Sequence, residues 1–280
     1  MLQRLAPAKV NLGLHVLRRR PDGFHDLATV FLPLDWADEI AAEPAAGLSV
    51  SSSDPALPTD DGNLVVRAAR ALAAHTGTSE GARLHLDKRV PYGAGLGSGS
   101  SDAAATLRLL TRLWGLDMPA PELARLALDL GSDVPFFLDP VPSAGAGRGE
   151  RLTPLAAPGG AAWRCPFPLV VAVPPVHVST ATAFAGVVPD DRDRPDLAAA
   201  VVSDDLDRWR REVTNDFQPA VEAAHPPVRA VRQSLEAAGA ARALLSGTGS
   251  AVVGVFERLS AAQAAAAALA PTARVWVQAP

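Results

Sequence analysis

Four glycines alternate at 93, 95, 97 and 99 and lead directly into Ser100, Ser101 and an apolar run with helical spacing. Glycine at that density lets the backbone turn several N–H groups inward, and the helix that follows adds its dipole, so the segment can gather donors around one anion. The chemistry it serves is phosphate binding. No Gly-Lys-Ser/Thr follows, as a Walker loop requires, and the spacing does not satisfy G-x-G-x-x-G, which disfavours a dinucleotide-binding or protein-kinase-type loop. The plainer alternative is a flexible connection with Ser101 as a helix N-cap. Four glycines, however, cost conformational entropy that an ordinary strand-to-helix turn does not require.

Asp133, in LGSDVPFF, is the second candidate. Transfer of a phosphoryl group to an alcohol needs an acceptor for the hydroxyl proton, and an aspartate held near a lysine suits that task. Ser132 or Asp133 before Pro135 also has the look of a helix N-cap. Lys9 could be the partner lysine or a surface charge. It attracts attention because Lys9 and Lys88 are the only lysines in a chain that otherwise uses arginine. Ser246-Gly247-Thr248-Gly249-Ser250 is a small-residue turn that would let backbone approach a ligand closely, or simply a tight hairpin. Phe24 and His25, with Phe184 far along the chain, could flank a planar base by stacking and hydrogen bonding, or be ordinary core and surface residues. No Ser/His/Asp or Cys/His nucleophile arrangement stands out, and the acidic residues show no metal-binding spacing.

The elements that must position these groups follow from periodicity. Val10, Leu12, Leu14 and Val16 alternate with Lys9, Asn11, Gly13 and His15, the pattern of a half-buried strand whose polar face carries Lys9 and Asn11. Pro21-Asp22-Gly23 predicts a tight turn and Leu27–Leu34 the returning strand. Helices are expected at Leu64–His75, after the glycines to about Gly115, at Pro121–Leu130, at Val228–Ala238 and over the alanine-rich Ala261–Ala270. Strands are expected at Ala82–Leu86, at Leu169–Val173, on both sides of the Ser246 turn and at Val275–Val277. The Gly-, Pro- and Ala-rich stretch from Val141 to Pro168 marks the place for a boundary, and the charges from Asp190 to Arg194 read as a solvated run.

The 280 residues suggest about two domains, and 48% hydrophobic residues exclude disorder. The formal net charge of −4 gives no global field for nucleic acid or an anionic membrane, and no apolar run approaches the roughly 20 residues of a bilayer span. A single cysteine, Cys165, permits no internal disulfide and points to a reducing compartment, so a cytoplasmic location is expected.

Three segments in order, PAKVNLGL at 7–14, PYGAGLGSGSSDAAAT at 91–106 and SGTGSAVVGVF at 246–256, resemble the three motifs of the GHMP small-molecule kinases. RPDGFHDL at 20–27, the GLGSGSSDAAATL form of the loop, GSDVPFF at 131–137 and GRGERLTPL at 147–155 are similar to the branch that acts on a cytidyl diphosphate methylerythritol in non-mevalonate isoprenoid precursor synthesis. The resemblance implies ATP as donor, held over Pro91, Tyr92, Gly93, Ala94, Gly95, Leu96, Gly97, Ser98, Gly99, Ser100 and Ser101, and the tertiary 2-hydroxyl as acceptor. Asp133 matches the family's base and Lys9 the residue that orients it. Asn11, Phe24, His25, Thr180 and Phe184 match substrate-contacting positions, with His25 reading the cytosine edge. Magnesium is expected with ATP, its protein ligands unassigned apart from Ser101 as a candidate.

The implied fold is a two-domain α/β (α+β) architecture. A ribosomal-protein-like ATP-binding domain spans 1–155 and a ferredoxin-like domain spans 156–280, with the active site between them. Three positions depart from the family pattern: Phe24 for Tyr, Ser98 for Gly and Tyr92 for Met. Ser98 is expected to bring a side chain close to the phosphates. The competing functions are another GHMP kinase, acting on homoserine or mevalonate, and a non-catalytic binding module of related fold. FHDL and Phe184 argue against the first, and the acidic balance with Lys9 and Asp133 against the second.

Overall fold

The alternation at the N-terminus produces the expected strand, but it is longer and more enclosed than the pattern implies. In the computed structural model, which describes residues 1–280, β1 runs Leu2–Arg19. Every residue from Ala8 to Val16 is buried, including Lys9, Asn11 and His15 on the polar face. The strand is therefore not half-solvated: its polar face is closed in by hydrogen-bonding partners described below. The Pro21-Asp22-Gly23 turn forms, with Gly23 at φ 86° and the Asp22 carboxylate accepting the Phe24 N–H at 3.1 Å. It leads into β2 (His25–Ala45), which pairs with β1 and extends well past Leu34. Its outer half buries Trp36, Asp38, Ile40 and Ala42 in alternation, and the acid in the buried register disguises the period.

The chain forms two compact units, each discontinuous in sequence. Unit 1 comprises residues 1–8, 35–92 and 97–140, and unit 2 comprises 9–34, 93–96 and 141–280. A division at residue 155 would separate 9–34 and 93–96 from the residues with which they cluster, so the linear boundary drawn from composition is replaced by an interleaved one.

In unit 1, β3 (Ser49–Ser52) is followed by α1 (Leu64–Thr76) and β4 (Gly81–Asp87). Strand β4 pairs parallel with β3 and antiparallel with Glu39–Ala45 of β2. Asn63 caps α1 by accepting the Val65 N–H at 2.9 Å, and Gly77 ends it in the left-handed region. Then come α2 (Ser98–Leu113), α3 (Ala120–Leu130) and a 3₁₀ turn at Val134–Leu138. Val65, Ala69 and Leu72 of α1 are fully or almost fully buried, as are Leu107 and Leu110 of α2.

In unit 2, the stretch read as a boundary contains a hairpin. Strand β5 (Ser143–Gly147) pairs antiparallel with Leu27–Phe31 of β2, and β6 (Arg151–Pro154) pairs with β5. Its small residues carry almost no apolar signal, and register rather than side-chain burial defines it. Strand β7 (Leu169–Val173) precedes α4 (Thr180–Ala185), α5 (Leu197–Val201), α6 (Leu206–Glu212), α7 (Gln218–Ala224) and α8 (Pro226–Ala237). The chain closes with β8 (Arg242–Leu245), β9 (Val252–Val255), α9 (Leu259–Leu269) and β10 (Arg274–Gln278). An antiparallel sheet in the order β10-β7-β9-β8 shares a core with α7, α8 and α9 through Val170, Phe217, Val228, Leu235, Phe256 and Leu269. The expected run of solvated charges is only partly so: Asp190 and Arg192 pair at the surface, while Arg194 reaches Asp216 at 2.7 Å with its side chain 19% exposed. No helix is long and apolar enough to cross a membrane.

Candidate active site

Three of the alternating glycines adopt the left-handed backbone that side chains disfavour, with φ of 68° at Gly93, 86° at Gly95 and 68° at Gly97. Gly97 is the N-cap residue of α2, so the cap expected of Ser101 is not made by it. Ser101 lies one turn inside, donating its N–H to Gly97 O at 2.9 Å, and its buried Oγ has no hydrogen-bond partner. Ser98 starts the helix, and its hydroxyl donates to Pro91 O at 3.4 Å. The extra side chain is thus spent on the neck of the loop, in a helical conformation that any residue accepts.

The turn between β8 and β9 approaches the chain's own loop. A Cβ on Gly95 would lie 2.1 Å from Ser246 O, and one on Gly249 would lie 2.0 Å from the Ala94 carbonyl carbon. Ala251 N donates to Ala94 O at 2.9 Å and Ser246 Oγ to Gly95 O at 3.0 Å. The small residues at 246–250 therefore admit backbone rather than a ligand, and they fix the loop's tip at 93–96.

Lys9 is 3% exposed, which ends its reading as a surface charge. Its ammonium donates to Asn11 Oδ1 at 2.6 Å and to Gly95 O at 3.1 Å, and it lies 5.3 Å from the centre of the Phe31 ring. Its backbone N–H meets Leu96 O at 2.9 Å, so strand and loop tip are tied by main chain and side chain alike. Asn11 is held from three sides. Its carboxamide oxygen receives Lys9, its amide donates to Thr29 Oγ1 at 2.8 Å, and its N–H donates to Ser246 Oγ at 3.2 Å. Thr29 is not legible as a site residue, and Ser246 is legible only as part of a small-residue turn, not as a partner of Asn11. A buried hydroxyl opposite a polar strand face is the signal that finds them.

His25 and Phe184 are brought together, their rings 5.0 Å apart and 25° from parallel, and Phe184 stands edge-on to the fully buried Phe217 at 4.8 Å. They touch, so they form one stacked platform rather than two walls with a base between them. Phe24 is not part of it: 49% exposed, it lies under the Arg148 guanidinium at 4.6 Å. Thr180, first in α4, meets Thr248 hydroxyl to hydroxyl at 3.2 Å.

Unit 1 holds the remaining candidates. Asp133 is half-buried at the start of the 3₁₀ turn, and its side chain makes no cap hydrogen bond to that turn, so the capping alternative fails. Tyr92 is 49% exposed. The unit also contains a cluster that sequence reading did not assemble. Lys88 Nζ donates to Asp38 Oδ2 at 2.7 Å and to Asp102 Oδ2 at 2.6 Å, with all three side chains 4% exposed or less. Burial pushes the Asp102 carboxyl up to about 7, against the pull of Lys88 and with the repulsion of Asp38. Burial also pushes the Cys165 thiol up to about 12, which makes it an unreactive residue. No group of three or more His, Cys, Asp or Glu side chains is placed to hold a metal ion.

Comparison with known proteins resolves what this arrangement belongs to. Residues 63–139 match the GHMP kinases N terminal domain and residues 197–273 the GHMP kinases C terminal domain. The chain is 55% identical over 267 residues to the 4-diphosphocytidyl-2-C-methyl-D-erythritol kinase of Salinibacter ruber, covering 95% of this chain and 94% of that one. The chain belongs to the GHMP kinases. The kinase of the same name from Prosthecochloris aestuarii is 43% identical, with 96% of this GHMP kinase and 94% of that protein covered. A crystal structure of 4-(cytidine 5'-diphospho)-2C-methyl-D-erythritol kinase superposes with a TM-score of 0.82 at 38% identity, over 99% of this chain and 98% of the other. Homoserine kinase from Cytophaga hutchinsonii shares the fold at a TM-score of 0.73 and 19% identity, over 97% and 94% of the two chains. The two-domain α+β architecture expected from the motifs is thus the one present.

Proposed function

We propose that this GHMP kinase transfers the γ-phosphoryl group of ATP to the 2-hydroxyl of 4-diphosphocytidyl-2-C-methyl-D-erythritol, in isoprenoid precursor synthesis. In this reading the 2-oxygen bonds to the γ-phosphorus as the bond from that phosphorus to the β,γ-bridging oxygen breaks. ADP leaves, and the hydroxyl proton passes to the Asp133 carboxylate. Lys9 supplies positive charge as negative charge shifts between oxygens, and its hydrogen bonds to Asn11 and Gly95 keep the ammonium from wandering. The loop from Pro91 to Ser101 takes the triphosphate, with the α2 N-terminus facing its charge. Magnesium accompanies ATP and would neutralise phosphate charge; the buried, unpartnered Ser101 Oγ is the oxygen this chain offers to it. The platform of His25 and Phe184, with Thr180, takes the cytidyl end, exposed Phe24 offers a second ring face, and Asn11 contacts the substrate beside Lys9. With a single, half-buried cysteine and ATP as donor, the reading is of a cytoplasmic protein.

The observation that carries the choice of acceptor is the His25–Phe184 platform, in a chain 55% identical to a kinase named for that substrate. The test mixes purified protein, Mg-ATP and the cytidyl alcohol and follows product by mass spectrometry, with homoserine and mevalonate in parallel. A phosphorylated product from the cytidyl alcohol alone is expected. Phosphorylation of homoserine or mevalonate instead would overturn the acceptor, and retention of full activity by Asp133→Asn would overturn the base.

A further inference from the structure

We infer that Lys88, Asp38 and Asp102 form a charged clamp that sets the shape of the nucleotide loop, with Lys88 and Asp102 acting as positioning residues for ATP. The inference rests on the reading of 91–101 as the phosphate-binding segment. Lys88 stands three residues before Pro91 and Asp102 directly follows Ser101, in the second turn of α2, so their 2.6 Å ion pair joins the two ends of the segment 89–101. Asp38, on the buried register of β2, grips the same end twice. One carboxylate oxygen takes Lys88 at 2.7 Å, and the other accepts the N–H groups of Arg89 at 2.6 Å and Val90 at 2.8 Å, the two residues that lead into the loop. The hydroxyl of Ser98 reaches Pro91 O at 3.4 Å across the same neck.

A fastening is needed at this place. Between its ends the chain carries three glycines in left-handed conformations, which have many alternatives in the absence of restraint. Closing a loop by a contact at its base removes many of those alternatives, as the hydrogen bonds from Lys9, Ser246 and Ala251 do at the tip. The cluster is also poorly explained as mere stabilisation. Two carboxylates face one ammonium, and Asp102 Oδ1 has no hydrogen-bond partner although it is buried. An ion pair in such surroundings recovers little beyond its own desolvation cost, whereas removing one partner strands the others. What it supplies is direction, because the α2 N-terminus can take only one position relative to the end of β4 while the pair holds.

The test compares wild type with Lys88→Met, Lys88→Arg and Asp102→Asn, measuring thermal midpoint, nucleotide affinity without acceptor, and kcat and KM for each substrate. For Lys88→Met we expect KM for ATP and the dissociation constant of a fluorescent ATP analogue to rise about tenfold or more, the scale on which loosened positioning acts at a distance. KM for the alcohol should stay within about twofold and kcat within about threefold. Lys88→Arg should recover most of the affinity, because it restores the charge, and Asp102→Asn should fall between. The inference is overturned if folded Lys88→Met or Asp102→Asn binds the analogue as wild type does, or if both KM values and kcat move together with the thermal midpoint. Should Lys88→Met fail to fold, Asp102→Asn decides alone, because it keeps the shape and an acceptor for Lys88. A wild-type protein that binds no ATP would instead sink the kinase reading and leave the clamp a purely structural pair.

Discussion

The two lysines of this chain are both buried and both fastened by hydrogen bonds, and their surroundings differ in kind. Lys88 in unit 1 stands between two carboxylates at 2.6 and 2.7 Å, so its charge is consumed where it sits. Lys9 in unit 2 donates to a carboxamide oxygen and a main-chain carbonyl and lies against an aromatic face, contacts that orient its ammonium. Burial of a lysine thus serves two uses here, one that fastens chain between carboxylates and one that aims an ammonium through a carboxamide and a main-chain carbonyl, and the chemistry of those contacting atoms tells them apart.

That contrast breaks most sharply in the kinetics. Lys9→Met should lower kcat by about a thousandfold, as for the loss of one preorganised charge at a transition state, while Lys88→Met acts chiefly on ATP affinity. Steady-state assays of both variants, each checked by circular dichroism, decide it, and equal kcat losses would erase the distinction. The next largest effect concerns the backbone that Lys9 grips. Gly249→Ala places a methyl 2.0 Å from the Ala94 carbonyl carbon and should cost about 3 kcal/mol or more in urea unfolding, because neither contacting strand of main chain can yield cheaply.

A smaller effect sharpens the comparison at the acceptor end of unit 2. Phe184→Ala removes one ring of the His25 platform and should raise KM for the cytidyl alcohol by about 10- to 100-fold, from roughly 1–3 kcal/mol per stacked base, with KM for ATP unchanged. The smallest is a pH effect. His15 is held below the usual imidazole range by burial first and by Arg194 second, with Asp216 opposing. Its neutral form is the one the fold prefers, so its contribution is complete above pH 6.5 and is lost as pH falls through the depressed folded-state value. The urea midpoint should decline on acidification below 6.5, and His15→Gln should flatten that decline. Asp102 has the opposite sign: with its carboxyl raised to about 7, ionising it costs stability, so unit 1 gains as pH falls from 7 toward 4.

What the chain announces beforehand follows from the range over which each feature acts. The loop glycines, Lys9 and Asn11 are legible because residue type and short spacing already state the chemistry, and the helices from α1 to α3 are legible from 3.6-residue periodicity and their terminal Gly and Pro signals. The partnership of His25 with Phe184 is written in no spacing, since it is made by folding. The outer half of β2 escapes because Asp38 occupies an apolar register, and the same residue explains why the Lys88 cluster is invisible: its members lie 50 and 14 positions apart. The β5–β6 hairpin escapes for the reverse reason, since glycine and alanine carry no amphipathic signal while still forming a ladder. Each miss is a place where tertiary partners, rather than neighbours in sequence, decide what a residue does.

The interleaving of the two units has a consequence for the order in which the molecule can come into being. A ribosome that has released residue 140 has delivered all of unit 1, but of unit 2 only residues 9–34 and 93–96. The apolar residues Leu14 and Val16 are then outside the exit tunnel with much of their eventual cover still unmade. The sheet that will shelter them receives β10 last of its four strands, because Arg274–Gln278 pairs with β7. Nascent-chain survival should therefore depend on how long that half-finished surface waits, and a stall near residue 270 should be more prone to aggregation than one near 60.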